Sequence, residues 1–180
     1  KPDGPWYYEQ IELGFNYRMN DISAALGLSQ LDNIDEFVEK RHAIAQKYNE
    51  AFKDKPLILP YQHKDCYSSY HLYIIRVENS IKGLNKLDLF NSLRDSGILV
   101  NLHYIPVYRQ PYYQKMNYSI EDFPESEKYY EEALSLPIHP LLKEEEQDFI
   151  IESVINFLSR QKTYLKNYVK EDPKGFQTIF

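Results

Sequence analysis

His103 and Tyr104 stand directly after a short apolar run, Ile98 to Leu102, and ahead of Tyr108 and Arg109 in a stretch interrupted by Pro106 and Pro111. An imidazole exchanges protons near neutral pH, and a phenol can pack its ring on a ligand while its hydroxyl hydrogen-bonds. Side chains that leave the end of a rigid element can be aimed into a pocket. A lone histidine is more often a structural hydrogen-bonder than a catalytic base, so the chemistry expected of His103 is positioning of a bound molecule, not proton transfer. Tyr108 and Arg109 could add ring contact or charge, or simply pack their loop; His139, beside two prolines, is expected to be structural. Asn16 and Arg18 precede a helical pattern, where an amide commonly shapes a turn and an arginine makes an ordinary surface ion pair. Lys40, Lys47, Lys86, Lys128 and Lys162 fall on polar helix faces, in turns or in a charged tail, and none looks like a buried anchor. The single cysteine, Cys66, cannot form an internal disulfide and offers no metal cluster, which fits a reducing, cytoplasmic compartment.

These residues need elements to hold them. After a loop-like segment rich in aromatics (residues 1–19), Asn20 is a candidate N-cap for one long helix whose apolar face runs Ile22, Ala25, Leu26, Leu31, Ile34, Phe37, Val38, Ala45, Tyr48 and Phe52. Gly27 inside that pattern costs about 1 kcal/mol relative to Ala, which points to close packing or a slight break. Tyr70 to Val77 reads as a central strand, Leu84 to Ser96 as a helix closed by Gly97, and Ile98 to Leu102 as a short strand. Residues 104–122 lack a clear period and form a long ordered loop of the kind that is often functional. A short helix from Pro124 to Ala133, an apolar strand around Leu134 to Ile138 and a final helix complete the chain. That last helix opens at Glu144 and buries Phe149, Ile150, Val154, Phe157 and Leu158. The order predicts an α/β layer of helices against a small sheet.

The 180 residues suffice for one core plus excursions, and the formal net charge of −6 excludes a general phosphate-backbone binder. No apolar run reaches membrane-spanning length, and the opening Lys1-Pro-Asp-Gly-Pro lacks both an initiator Met and a signal-peptide core, as expected of a chain that begins inside a longer protein. The 17 tyrosines point to wet pockets or subunit contacts.

The stretch Gly14-Phe-Asn-Tyr-Arg-Met-Asn-Asp-Ile-Ser-Ala-Ala-Leu-Gly-Leu-Ser-Gln-Leu31, followed by Arg41 and Tyr48, resembles the DegT/StrS-type sugar aminotransferases. Ser96-Gly-Ile-Leu-Val-Asn-Leu-His-Tyr-Ile-Pro-Val-Tyr108 and Ser135-Leu-Pro-Ile-His-Pro140 match in the family's order and approximate spacing, so the likeness covers roughly residues 5–160. It implies the C-terminal small domain of a fold-type-I pyridoxal-phosphate-dependent transferase, a long helix plus a small sheet covered by helices. Residues 1–19 would be a remnant loop of the larger cofactor-binding domain, 20–160 the small domain, and 161–180 an extension without a family counterpart.

The resemblance further implies a homodimer with active sites shared between subunits. Asn16 would then hydrogen-bond the phosphate of pyridoxal 5'-phosphate across the interface, and Arg18 would approach the anionic groups of cofactor or substrate. His103, Tyr104 and Tyr108 would lie beside a UDP-linked 4-keto sugar, with L-glutamate as the amino donor. Such chemistry begins at a partly desolvated lysine, which the family carries in its N-terminal domain, so this chain is expected to contain no catalytic residue and to be inactive by itself. Two other readings stay open: a related sugar dehydratase, in which histidine replaces that lysine, and a noncatalytic sugar-nucleotide-binding or dimerisation module. Exposed aromatic surface around Trp6, Tyr7, Tyr8 and Phe15 would favour self-association.

Overall fold

The computed structural model describes residues 4–15, 17–78, 81 and 83–171, with side chains up to Gln161. The chain divides into two units, Lys1–Asp35 and Glu36–Phe180.

In the first unit, an extended segment leads to α1 (Asp21–Leu31). Asn20 caps it as expected, its side-chain oxygen accepting the Ser23 N–H at 2.8 Å, and Asp21 favours the positive end of the helix dipole. None of its residues is buried. The single long helix predicted from Asn20 to Phe52 is instead two, because the chain turns at Asp32 and Asn33 before α2 (Ile34–Phe52). Both residues are poor helix formers whose side chains compete for backbone groups. The Asn33 amide donates to the Ser29 carbonyl at 3.2 Å and its N–H bonds Gln30, three residues back. Gly27 marks neither a break nor a close approach: the helix is intact there, and a side chain added at Gly27 would meet open space.

The second unit holds the core. Ile44, Ala45, Tyr48 and Phe52 recur at three- and four-residue steps and bury one face of α2. A three-stranded antiparallel sheet runs in the order β1 (Leu57–Ile58), β2 (Tyr73–Val77), β3 (Ala133–Leu136), with Leu57 opposite Val77 and Tyr73 opposite Leu136. Alternation along β2 sends Tyr73, Ile75 and Val77 into the core. On its other side Arg76 forms a charge-assisted pair with Glu132, whose carboxylate is buried, at 2.6 and 3.0 Å.

α3 (Lys86–Asp95) packs on α6 (Glu144–Glu171) and on β3, and α5 (Pro124–Glu132) packs on β2. Gly97 closes α3 as expected, in the left-handed region at φ 81°, and the bonds Gly97 N–H to Arg94 O and Ile98 N–H to Leu93 O form the paired C-terminal motif that needs glycine there. The strand predicted from Ile98 to Leu102 reduces to one bridge, Asn101 to Ser135. The Asn101 side chain takes the Leu102 N–H at 2.8 Å, which diverts the next donor from the ladder. Two 3₁₀ turns, Val107–Arg109 and Ile120–Asp122, and the short α4 (Pro111–Gln114) give the tyrosine-rich loop local order.

α6 starts at its acidic run and buries Ile150, Ile151, Val154, Phe157 and Leu158. Phe149, expected on that stripe, is half exposed, and Ile151 takes the place. Residues 172–180 lie outside the described residues.

Candidate functional site

The segment 103–109 leaves the sheet edge and returns to α5. At its start, the Asn101–Ser135 bridge is doubled by backbone bonds of 2.8 and 3.3 Å. The His103 Nδ1 lies 2.8 Å from the Oγ of Ser135, a buried residue on β3, and the Tyr129 hydroxyl donates to the His103 carbonyl at 3.4 Å. Tyr104 stands edge-on to the His103 ring, with centroids 4.8 Å apart, and is 71 % exposed. A ring so placed can meet a ligand without first giving up protein contacts.

At the far end, Tyr108 stacks on Phe123 at 4.3 Å and its hydroxyl donates to Glu127 Oε1 at 2.5 Å. Arg109 completes the cluster, with Nε donating to Oε1 at 2.8 Å and a terminal nitrogen donating to Oε2. The hydrogen bonds from Arg109, then from Tyr108, hold the Glu127 carboxyl below the usual range, and Glu127 in turn raises Arg109. Desolvation, followed by the bond to Glu127, raises the Tyr108 phenol. The Arg109 guanidinium also lies 4.7 Å from the centre of the Tyr130 ring, as does the Lys86 amine. Lys86 is half-buried, donates to the Tyr130 carbonyl and has its pKa lowered by desolvation, a departure from its expected place on a polar helix face.

Of the residues singled out in the sequence, the structure thus brings His103, Tyr104 and Tyr108 into one pinned segment. Arg109 is committed to Glu127, which favours the loop-packing role for it. His139 is exposed, and its carbonyl accepts from the Leu142 N–H in the turn before α6. Arg18 belongs to the exposed segment of the first unit, and Asn16 lies outside the described residues. Sequence reasoning missed Glu127, and it placed Ser135 in a motif without giving it a role. Glu127 is one of several glutamates on an acidic helix, and the only hint of its burial was the three-residue step to Tyr130, which Arg109 also touches.

The motifs that carry the resemblance also meet each other. Arg41 donates to the carbonyls of Tyr70, His71 and Ile138 at 3.1, 3.3 and 3.0 Å, and the Tyr48 hydroxyl donates to Pro137 at 2.9 Å. The first motif's trailing residues therefore clamp the Ser135–Pro140 motif. Among the described residues there is no group of three or more His, Cys, Asp and Glu that could hold a metal, and no helix long and apolar enough to cross a membrane.

The site is thus a loop that returns to the edge of a small antiparallel sheet faced by helices, and comparison with known proteins defines the class to which this architecture belongs. Residues 2–155 match the model of the DegT/DnrJ/EryC1/StrS aminotransferase family, and the chain belongs to that family. It is 39 % identical over 155 residues to the spore coat polysaccharide biosynthesis protein SpsC of Bacillus subtilis, spanning 84 % of this chain and 40 % of that protein. It is 34 % identical over 158 residues to the UDP-4-amino-4,6-dideoxy-N-acetyl-β-L-altrosamine transaminase of Campylobacter jejuni, spanning 87 % of this chain and 42 % of that enzyme. Among solved structures, the aminotransferase PseC of Helicobacter pylori, involved in pseudaminic acid biosynthesis, superposes with a TM-score of 0.73 at 32 % identity, over 89 % of this chain and 43 % of that one. A putative sugar aminotransferase of Streptococcus pneumoniae, known in PLP and PMP forms, reaches 0.78 at 29 % identity, over 90 % of this chain and 41 % of that one, in its PMP form. The chain therefore spans less than half the length of the relatives it matches.

The family's cofactor is pyridoxal 5'-phosphate. Among the described residues no buried side-chain polar atom lacks a partner, and the amine of Lys86 donates to the Tyr130 carbonyl.

Proposed function

We propose that this chain supplies the C-terminal part of a pyridoxal-phosphate-dependent nucleotide-sugar aminotransferase, which converts the keto group of a UDP-4-keto-6-deoxy-N-acetylhexosamine to an amine with L-glutamate as donor. The observation that carries the reading is the segment 103–109, fixed at both ends while Tyr104 stays exposed, in a chain whose family is one of aminotransferases. The named likeness to the Campylobacter jejuni transaminase and to PseC supports the choice of a 4-keto sugar leading toward pseudaminic acid.

In this account His103 and Tyr104 line the sugar-nucleotide site, and Tyr108 bounds it from the far end of the segment. Asn16 donates to the cofactor phosphate of a partner subunit, and Arg18 meets an anionic group of cofactor or substrate. The cofactor supplies the electron sink for moving the amino group. The lysine that anchors it belongs to the larger domain, so this chain by itself does not catalyse the reaction. The enzyme is a homodimer, a reading supported by the exposed apolar residues of the first unit, and works in the cytoplasm, with which the free Cys66 is compatible.

The protein in which this chain is joined to the family's larger domain should show the visible absorption of bound pyridoxal phosphate, and glutamate should bleach it. This chain incubated with the cofactor should show no such band. A joined protein that never acquires the band would remove the assignment.

A further inference from the structure

We propose that Glu127 and Ser135 are positioning residues of the sugar-nucleotide site, the two anchors that hold the strap 103–109 in one conformation for the substrate. The proposal rests on the functional reading above and adds to it the residues that preorganise the site.

Both anchors belong to one continuous support, because α5 runs directly into β3 at Glu132 and Ala133. Ser135 fixes the first end twice, by its backbone bridge to Asn101 and by its hydroxyl 2.8 Å from the His103 ring. Glu127 fixes the second end with both carboxylate oxygens: Oε1 accepts from Tyr108 and from Arg109 Nε, and Oε2 accepts from the Arg109 fork. A glutamate only 9 % exposed is costly unless its carboxylate is paired and hydrogen-bonded, and here Tyr108 and Arg109 of the strap supply the pairing. Between the anchors, Pro106 is buried and restricts the backbone, whereas Tyr104, Ile105 and Val107 are 71, 49 and 61 % exposed.

The loop is pinned at both ends with those apolar side chains exposed. A loop so held presents a surface on which a sugar or base ring can pack, and its order is established before the ligand arrives. Preorganisation of this kind strengthens binding by removing the entropy cost of ordering the loop.

The test uses Glu127→Gln and Ser135→Ala in the protein that joins this chain to the larger domain. Glutamine keeps an acceptor for Tyr108 but loses the charge and one acceptor oxygen facing Arg109; alanine removes only the hydroxyl beside His103. Amide hydrogen exchange should accelerate about tenfold in residues 103–114 of each variant and stay at wild-type rates in β2 and α6. The KM for the nucleotide sugar should rise about fivefold to tenfold while kcat and the glutamate-only bleaching of the cofactor keep their wild-type values. Unchanged exchange in the strap overturns the anchoring, and faster exchange with unchanged KM overturns the positioning role. Exchange that rises in β2 as well, or a parallel fall of both half-reactions, also overturns it, because that is the signature of general destabilisation. A wild-type protein that transfers no amino group to any nucleotide sugar overturns the functional reading and the positioning role with it, while the exchange data still decide whether the strap is anchored.

Discussion

Glu127 concentrates charge, burial and hydrogen bonding at one position, and its titration has a definite sign. Arg109 and Tyr108 hold its carboxyl below the ordinary range in the folded protein. A depressed carboxylate adds stability that is complete above the unfolded value, about 4.3, and is lost as the pH falls through the lower folded value. Stability followed by urea unfolding should therefore decline below about pH 4.3, and Glu127→Gln should flatten that part of the profile. An unaltered acid limb in the variant would show that the pairing contributes nothing. Tyr48 and Tyr73 run the other way: burial raises both phenols, so their contribution is complete below about pH 10 and fades as the pH rises through the folded values. Tyr48→Phe removes the 2.9 Å bond to the Pro137 carbonyl and should cost about 1 kcal/mol at neutral pH, read as a lower urea midpoint with an unchanged slope. The two positions differ in how they showed themselves. Tyr48 was visible in the sequence both on the apolar face of a helix and within a recognisable motif, whereas Glu127 was one acidic residue among several until Arg109 arrived from a distant loop.

At the scale of elements, periodicity located the helices well and misjudged their ends. Strong three- and four-residue spacing marked α2, α3 and α6, and Gly97 marked the end of α3 because a positive φ is required there. The same spacing continued through Asp32 and Asn33, and only their local side-chain bonding decided that α1 and α2 are separate. β1 escaped notice because two residues carry no period, and Ile98 to Leu102 had strand composition without a second bridged residue pair. Phe149 and Ile151 lie on opposite sides of Ile150, and packing, not periodicity, chose between them. Long-range clamps then join these elements. Arg41 on α2 ties three carbonyls from two separate stretches of chain, so Arg41→Lys, which keeps the charge but loses the planar fork, should destabilise the chain by about 1–3 kcal/mol in urea unfolding. A loss within a few tenths of a kcal/mol would mean that water replaces the guanidinium at little cost. Leu93→Ala, in the fully buried face of α3, should cost about 2–5 kcal/mol through the cavity it leaves.

At the scale of the whole molecule, apolar exposure is concentrated in the first unit. Trp6, Tyr8, Ile11, Leu13, Phe15 and Tyr17 are each at least 73 % exposed, and α1 buries none of its residues. The core of the second unit, by contrast, is closed around Tyr48, Tyr73 and Phe52. The isolated chain should therefore self-associate, and replacing Leu13 and Phe15 by glutamate should shift it toward monomer in sedimentation velocity without lowering its unfolding midpoint. A wild-type chain that stays monomeric at high concentration would contradict this. The family resemblance was legible because its motifs are local runs of sequence; the strap and its two anchors were not, because they come together only when α5 and β3 are placed beside residues 101–109. Following the nitrogen decides whether an amino group is transferred to the sugar. Glutamate carrying isotopically labelled nitrogen is supplied, with pyridoxal phosphate and a UDP-4-keto-6-deoxy-N-acetylhexosamine, to the protein that joins this chain to the larger domain. The label should appear on the sugar in place of the keto oxygen; label that stays on glutamate while the keto sugar persists would contradict the account.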